Sequence, residues 1–296
     1  MEALNENTMD FIAIDVETAN ADMASICQIG IVKYEDGVLT DEWKSYIDPE
    51  DYFDGMNISI HGIDESTVEG APTFPEVTDT LRSYLDNSVV VCHTHFDRVA
   101  MNKAAQRYEI ATPECLWLDS ARVARRTWKE GAWKGYGLYN LSKMLEFSFK
   151  HHDALEDAKA AAYILLKASK ETGLDIDGWF KRIRQPIDPT ATSSKSAIKR
   201  DGNPEGDLFG EVLVFTGALE IPRREAADLA ATIGCQVASG VTQKTTMLVV
   251  GDQDIKQLAG HEKSSKHRKA EKLIEKGLPI RILKESDFRE LVSLSE

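Results

Sequence analysis

Long apolar runs are missing from this 296-residue chain, so no stretch has the length of a bilayer-spanning helix. An export leader is not expected either, because Met1 to Asn7 is polar. The expectation is a cytoplasmic protein with no membrane partner. Cysteine is scarce: Cys27, Cys92, Cys115 and Cys235 never form a C-x-x-C pair, and most sit in apolar stretches. They read as reduced, buried thiols. Positive charge is also in short supply. The formal net charge of −14 argues against a chain that binds any polyanion by charge alone. The shortage is uneven, since residues 1–185 carry 19 Lys and Arg against 32 Asp and Glu, a balance of −13, while residues 186–296 stand at −1. No internal repeat occurs. What is present is 42% hydrophobic residues, enough to bury two modest cores.

The change in charge coincides with a change in texture. Residues 185–207 hold Pro186, Pro189, a polar run from Thr190 to Ser194 and the turn formers Asp201-Gly-Asn-Pro-Glu-Gly206. They read as a flexible linker between a domain at 1–184 and one at 208–296. In the second domain, strands are expected at Glu211–Phe215, Thr245–Val250 and Ile280–Leu283. Helices are expected over Arg224–Ile233 and Lys269–Lys276, each stopped by a glycine (Gly234, Gly277), and Ser286 suits the N-cap of a last one. This alternation implies a small α/β unit on a parallel sheet.

In the first domain three acidic segments stand out. Phe11–Glu17 reads as a buried strand whose period of two puts Asp15 and Glu17 on one face. Such a pair either meets a basic partner or a turn, or holds a cation, and hard carboxylate oxygens suit Mg²⁺ or Mn²⁺. Val89–Cys92 reads as a second strand, running into His93-Thr-His95-Phe96-Asp97 and a helix from about Arg98 to Tyr108. Asp97 opens that helix as a cap or as a ligand, and His93 is expected to pack at the strand end. Ala154 to Lys167 has apolar residues at helical spacing, which places His152 at the helix start and Asp157 in an early turn. Asp153 and Glu156 read as acids favoured at a helix N-terminus. Arg122, Arg125 and Arg126 with Trp128, Trp133 and Tyr136 form a cluster that either pairs phosphates and stacks bases or is a solvated helix face beside packed aromatics.

Together these segments resemble the DEDDh family of 3′–5′ exonucleases, the group typified by the epsilon subunit of bacterial DNA polymerase III. The matching motifs are Asp15-Val-Glu17-Thr18, Phe96-Asp97 and His152-Asp-Ala154-Leu-Glu-Asp157, and the likeness covers about residues 9 to 183. A segment at Asn57-Ile-Ser-Ile-His61-Gly62-Ile63 resembles the loop that precedes a Pro-Thr-Phe and a long helix (Pro72 to Asp86) in that family. The resemblance implies a ribonuclease H-like mixed sheet flanked by helices. It also implies two ions, Mg²⁺ or Mn²⁺, held by Asp15, Glu17, Asp97 and Asp157, with His152 as general base. Thr18, His61, Phe96, Arg125 and Arg126 are the expected contacts to nucleic acid, and the expected substrate is single-stranded DNA or DNA 3′ ends, with RNA as the alternative. One departure is the second motif, which is a residue shorter than the family's usual His-Asn-x-x-Phe-Asp.

Residues 208–294 resemble a BRCT domain of the bacterial DNA ligase type, through Phe215-Thr216-Gly217, the helix start at Arg223, Gly234, Leu248-Val-Val250-Gly251 and Ser265-Lys266. This implies a phosphate pocket made by Thr216, Gly217, Arg223 and Lys266, open to a DNA end or a protein partner. The combined expectation is a metal-dependent 3′–5′ exonuclease of DNA replication or repair with a tethered BRCT module. The rival from another class is a BRCT-led scaffold that merely binds nucleic acid.

Overall fold

The computed structural model describes residues 9–128, 136–185, 187, 201–217, 219–251 and 264–295. Strands β1 (Phe11–Thr18), β2 (Ile26–Glu35), β3 (Val38–Tyr46), β4 (Val89–Cys92) and β5 (Leu116–Asp119) form one sheet in the order β3-β2-β1-β4-β5. β1, β2 and β3 run as an antiparallel meander, whereas β4 and β5 run parallel to β1. The sheet is therefore mixed, as expected. Helices α1 (Gly55–His61), α2 (Thr78–Leu85), α3 (Phe96–Arg107), α4 (Ser120–Thr127), α5 (Leu138–Met144), α6 (Ala154–Thr172) and α7 (Ile176–Arg182) connect and cover it.

β1 lies at the centre and is covered on both faces, which is why its first half is uninterruptedly apolar rather than alternating. Ile12 and Ile14 pack on the face that holds Val99, Ala100 and Ala104 of α3. Phe11 and Ala13 pack on the opposite face, against Val123 of α4 and Ala158, Ala162 and Leu165 of α6. The pleat then sends Asp15 and Glu17 to the α6 face, where the third acidic segment begins.

Two expectations need correction here. The segment Asn57–Ile63 is a helix through His61, not a loop: the Asp54 side chain accepts from Met56 N at 2.9 Å and Gly62 closes the end at φ 76°. That cap was available in the sequence. Downstream, Pro72–Asp86 is not one long helix, because a 3₁₀ turn at Pro75–Val77 precedes the shorter α2.

The second sheet comprises β6 (Val212–Thr216), β7 (Gln236–Ala238), β8 (Met247–Val250) and β9 (Arg281–Lys284) in the order β7-β6-β8-β9, every pair parallel. Its helices are α8 (Arg223–Thr232), α9 (Ser265–Ile274) and α10 (Glu285–Ser295). The three expected strands are present, and the three-residue β7 is additional. Residues 201–207, read as part of a flexible linker, are packed: Asn203 N donates to Ala231 O at 2.7 Å, and Asp207 is buried beside Arg122 at 3.1 Å and His95 at 3.4 Å. Residues 186 and 188–200 of that linker lie outside the described residues. Among the described residues no helix is long and apolar enough to cross a membrane. All four cysteines are free, with Cys27, Cys92 and Cys235 buried.

Candidate active site

The site begins where β1 leaves the apolar core. Asp15 lies opposite Gly30 of β2, and Glu17 opposite Gln28. A Cβ at Gly30 would stand 2.2 Å from the Ala154 carbonyl carbon and from Leu155 N, so only glycine allows the start of α6 to lie against β2. Gln28 is buried, and its Oε1 accepts from Ala154 N at 2.8 Å, satisfying one of the N–H groups that a helix start leaves free. Neither residue is signalled by the acidic motifs. Both fix where the third motif lands.

His152 precedes α6 in a left-handed conformation, φ 61°, and its backbone N–H donates to Asp157 Oδ2 at 2.8 Å. This curl resolves the five-residue spacing that fits poorly on one helix face. The His152 ring, Glu17 and Asp157 offer ligand atoms that all lie within 4.8 Å of one another. Asp97 arrives from the first turn of α3 and accepts from Val16 N at 3.2 Å, which ties it to β1. Asp15, Asp97 and Asp157 are buried and Glu17 is half-buried.

Burial is the largest influence on each of the four acids. It raises Asp15 well above the usual carboxylate range, with the charges of Asp97, Asp157 and Glu17 adding to the rise. Burial and the Asp157 charge push Glu17 up to about 8, and burial pushes Asp157 to about 7 and Asp97 to about 6. Four mutually repelling acids in one desolvated place are unfavourable alone and favourable around cations, and the donor set of hard oxygens fits divalent metal ions. His152 is pushed the other way, down to about 4, by burial first and then by the charges of Arg281, His151 and His61. Its ring is therefore neutral at pH 7.

The family model for exonucleases matches residues 12–165, just over half the chain and including the four acids and His152. The chain belongs to the exonuclease family. It is 30% identical over 162 residues to DNA polymerase III PolC-type of Caldanaerobacter subterraneus subsp. tengcongensis, a match that covers 53% of this chain and 11% of that protein. Its likeness to the PolC-type polymerase of Thermotoga petrophila is 27% over 188 residues, covering 61% and 14% respectively. The chain thus spans little more than a tenth of the length of these curated relatives. Among solved structures, a full-length 3′-exonuclease superposes with a TM-score of 0.50 at 18% identity, over 59% of this chain and 64% of that one, and shares its fold. The matched segment ends before the second sheet begins.

Around the carboxylates of this exonuclease-family chain, Thr18 and His61 meet. His61 Nδ1 accepts from Ile63 N at 3.0 Å, which leaves Nε2 to donate to Thr18 O at 3.1 Å, and Asn57 Nδ2 donates to the same carbonyl at 2.7 Å. Phe96 is buried beside Asp97, and the guanidinium of Arg281 stands 4.2 Å above its ring. Sequence reasoning did not single out Arg281, because only the docking of the second sheet brings it here.

The arginine and aromatic cluster is used inside the protein. Arg125 is buried, donating to Gly206 O at 3.1 Å and facing Asp119 at 3.9 Å. Arg126 donates to Gln185 O through Nε and Nη2, and Arg122 to Ile183 O. Trp128 Nε1 donates to Glu171 and the Tyr136 hydroxyl to Trp128 O, each at 2.8 Å. Trp133 lies outside the described residues. His93 packs as expected, with Ser120 Oγ and Tyr136 O each at 2.7 Å.

In the second sheet, Thr216, Gly217, Arg223 and Lys266 converge. Arg223 Nη1 and Lys266 Nζ both donate to Phe215 O at 2.9 Å, Arg223 Nη2 donates to Gly217 O at 2.6 Å, and Thr216 Oγ1 lies 2.7 Å from Ser264 Oγ. A cavity of about 410 Å³ opens beside them, lined by Gly217, Leu219, Glu220, Ile221, Pro222 and Arg223.

Proposed function

We propose that this chain hydrolyses phosphodiesters from the 3′ end of a DNA strand, with Asp15, Glu17, Asp97 and Asp157 holding two divalent cations, Mg²⁺ or Mn²⁺, and His152 as general base. The observation that carries the reading is the gathering of four repelling carboxylates and one neutral histidine at a single buried place. Cations bound there supply charge neutralisation for the attacking and leaving oxygens of an in-line displacement. The residues do the rest. The neutral His152 ring is free to take a proton from a water lodged against Glu17 and Asp157. Thr18 and His61, beside the acids, would meet a terminal nucleotide, and Phe96 would act from behind Asp97. DNA is favoured over RNA because the relatives at 27–30% identity are named as DNA polymerases.

Residues 208–294 fit a BRCT-type unit, supported by the all-parallel second sheet and by the cluster around the Phe215 carbonyl. Thr216, Gly217, Arg223 and Lys266 would bind the phosphate of a DNA end or of a phosphorylated protein partner. This combination suits replication or repair in the cytoplasm.

The test uses matched DNA and RNA strands labelled at either end, digested with Mg²⁺, Mn²⁺ or EDTA. A 5′-labelled DNA strand should shorten stepwise, a 3′-labelled one should release its label at once, and EDTA should stop both. Faster loss of RNA would overturn the substrate and keep the chemistry; two intact strands would end the reading.

A further inference from the structure

The second sheet does not stand away from the carboxylates. β9 is its edge strand, and its first residue, Arg281, projects over Phe96 with the guanidinium carbon 4.2 Å from the ring centroid. Several contacts hold it there. Lys284 of the same strand pairs with Asp22, in the loop that follows β1. Lys103 of α3 lies 3.3 Å from Asp287 of α10. Met56 of α1 clusters with Val250 and Ile274 of the second sheet and its helices, and with Val241 and Ile280 of the connecting segments. These contacts run through the β1–β2 loop, through α3 and through the helix that carries His61.

Arg281 is exposed, and among the described residues its guanidinium forms neither an ion pair nor a side-chain hydrogen bond. A cation–π contact uses no N–H acceptor on another side chain, so the guanidinium donors stay available. It is nevertheless close enough for its charge to act on Asp15, Glu17, Asp97 and Asp157 together. A cation evolved as a plug would sit in direct pairs with those acids. One held at their edge, with donors open, suits an incoming anion.

We infer that Arg281 is a phosphate-binding residue of the exonuclease site, supplied by the C-terminal sheet from outside the family-matched segment, which engages a backbone phosphate of the substrate strand. Phe96 aims it, and the interface at Asp22, Lys103 and Met56 sets its reach. The net charge of the exonuclease half is strongly negative, and a fixed guanidinium at the rim gives a polyanionic strand one favourable contact beside the acids.

The inference rests on the proposed exonuclease reading and is tested in the full chain. Wild type, Arg281→Ala, Arg281→Lys and an Asp15→Ala blank are compared on a 5′-labelled DNA strand with Mg²⁺ over a range of salt. Arg281→Ala should lower kcat/KM about 10–100-fold, the worth of a hydrogen bond to a charged group. Arg281→Lys should recover part of the loss, since it keeps the charge and loses the fork. The slope of log(kcat/KM) against log[salt] should fall by about 0.7 in Arg281→Ala, as expected for one lost phosphate contact on a single strand, a change that a purely structural role would not produce. Undiminished cleavage with an unchanged slope overturns the role of Arg281 alone. Faster cleavage also overturns it and makes the residue an inhibitory counter-ion. A wild type that cuts nothing instead removes the reading beneath it.

Discussion

His152 holds a φ of 61°, a conformation that costs a residue with a Cβ about 1–2 kcal/mol. The backbone N–H to Asp157 bond and the placement of the ring against Glu17 explain why a histidine stays there. This separates stability from activity. His152→Gly should be at least as stable as His152→Ala in thermal melts, because glycine relieves the strain, while both should lose roughly 10²–10⁴-fold in kcat with little change in KM. A His152→Gly variant with near-native kcat would remove the general-base assignment. At this scale the sequence picks out Asp15, Glu17, Asp97, His152 and Asp157 as three separate motifs, and the fold brings these side chains together. The sequence was silent on Gln28, Gly30 and Arg281, whose roles come from partners that lie far away along the chain or in another sheet. Arg125 and Arg126 show the converse: a basic cluster reads as suited to phosphates or as a solvated face, whereas Arg125 is buried and both donate to backbone carbonyls, of Gly206 and Gln185.

Elements matter through the angle at which α6 meets the sheet. Its apolar stripe of alanines and leucines was readable as a helix, and the strands β1 and β4 were readable as continuous apolar runs. The contact at Gly30 was not, since a glycine inside a strand reads only as a weak point until the helix backbone is seen against it. Gly30→Ala should lower stability by roughly 1–3 kcal/mol, the usual cost of overpacking, and should slow cleavage by displacing His152 and Asp157 together. Urea unfolding beside steady-state kinetics checks both; native stability in that variant would mean that α6 does not depend on the close approach. The helix α1 was missed because its seven residues are too short for a periodic signal, although Asp54 caps it.

Across the whole molecule, the two sheets share one connected apolar cluster that runs from Ile12, Ile14 and α3 to Phe215, Met247 and Phe288. Composition had suggested two bodies on a flexible tether, because a sequence shows turn formers but not that Asn203 and Asp207 are tied down. The joint packing places a basic strand end, Arg281, near the acids of the first sheet. The most direct test of that chemistry is the rate of shortening of a 5′-labelled DNA strand by wild type and Asp15→Ala with Mg²⁺ and with EDTA, alongside their melting temperatures. Cleavage by the wild type should be metal-dependent. In Asp15→Ala it should fall by more than the roughly 10–100-fold typical of groups that merely support a metal ligand, while the melting temperature stays level or rises because a buried, repelled carboxylate is gone. Native rates in Asp15→Ala, or wild-type cleavage that persists in EDTA, would contradict it.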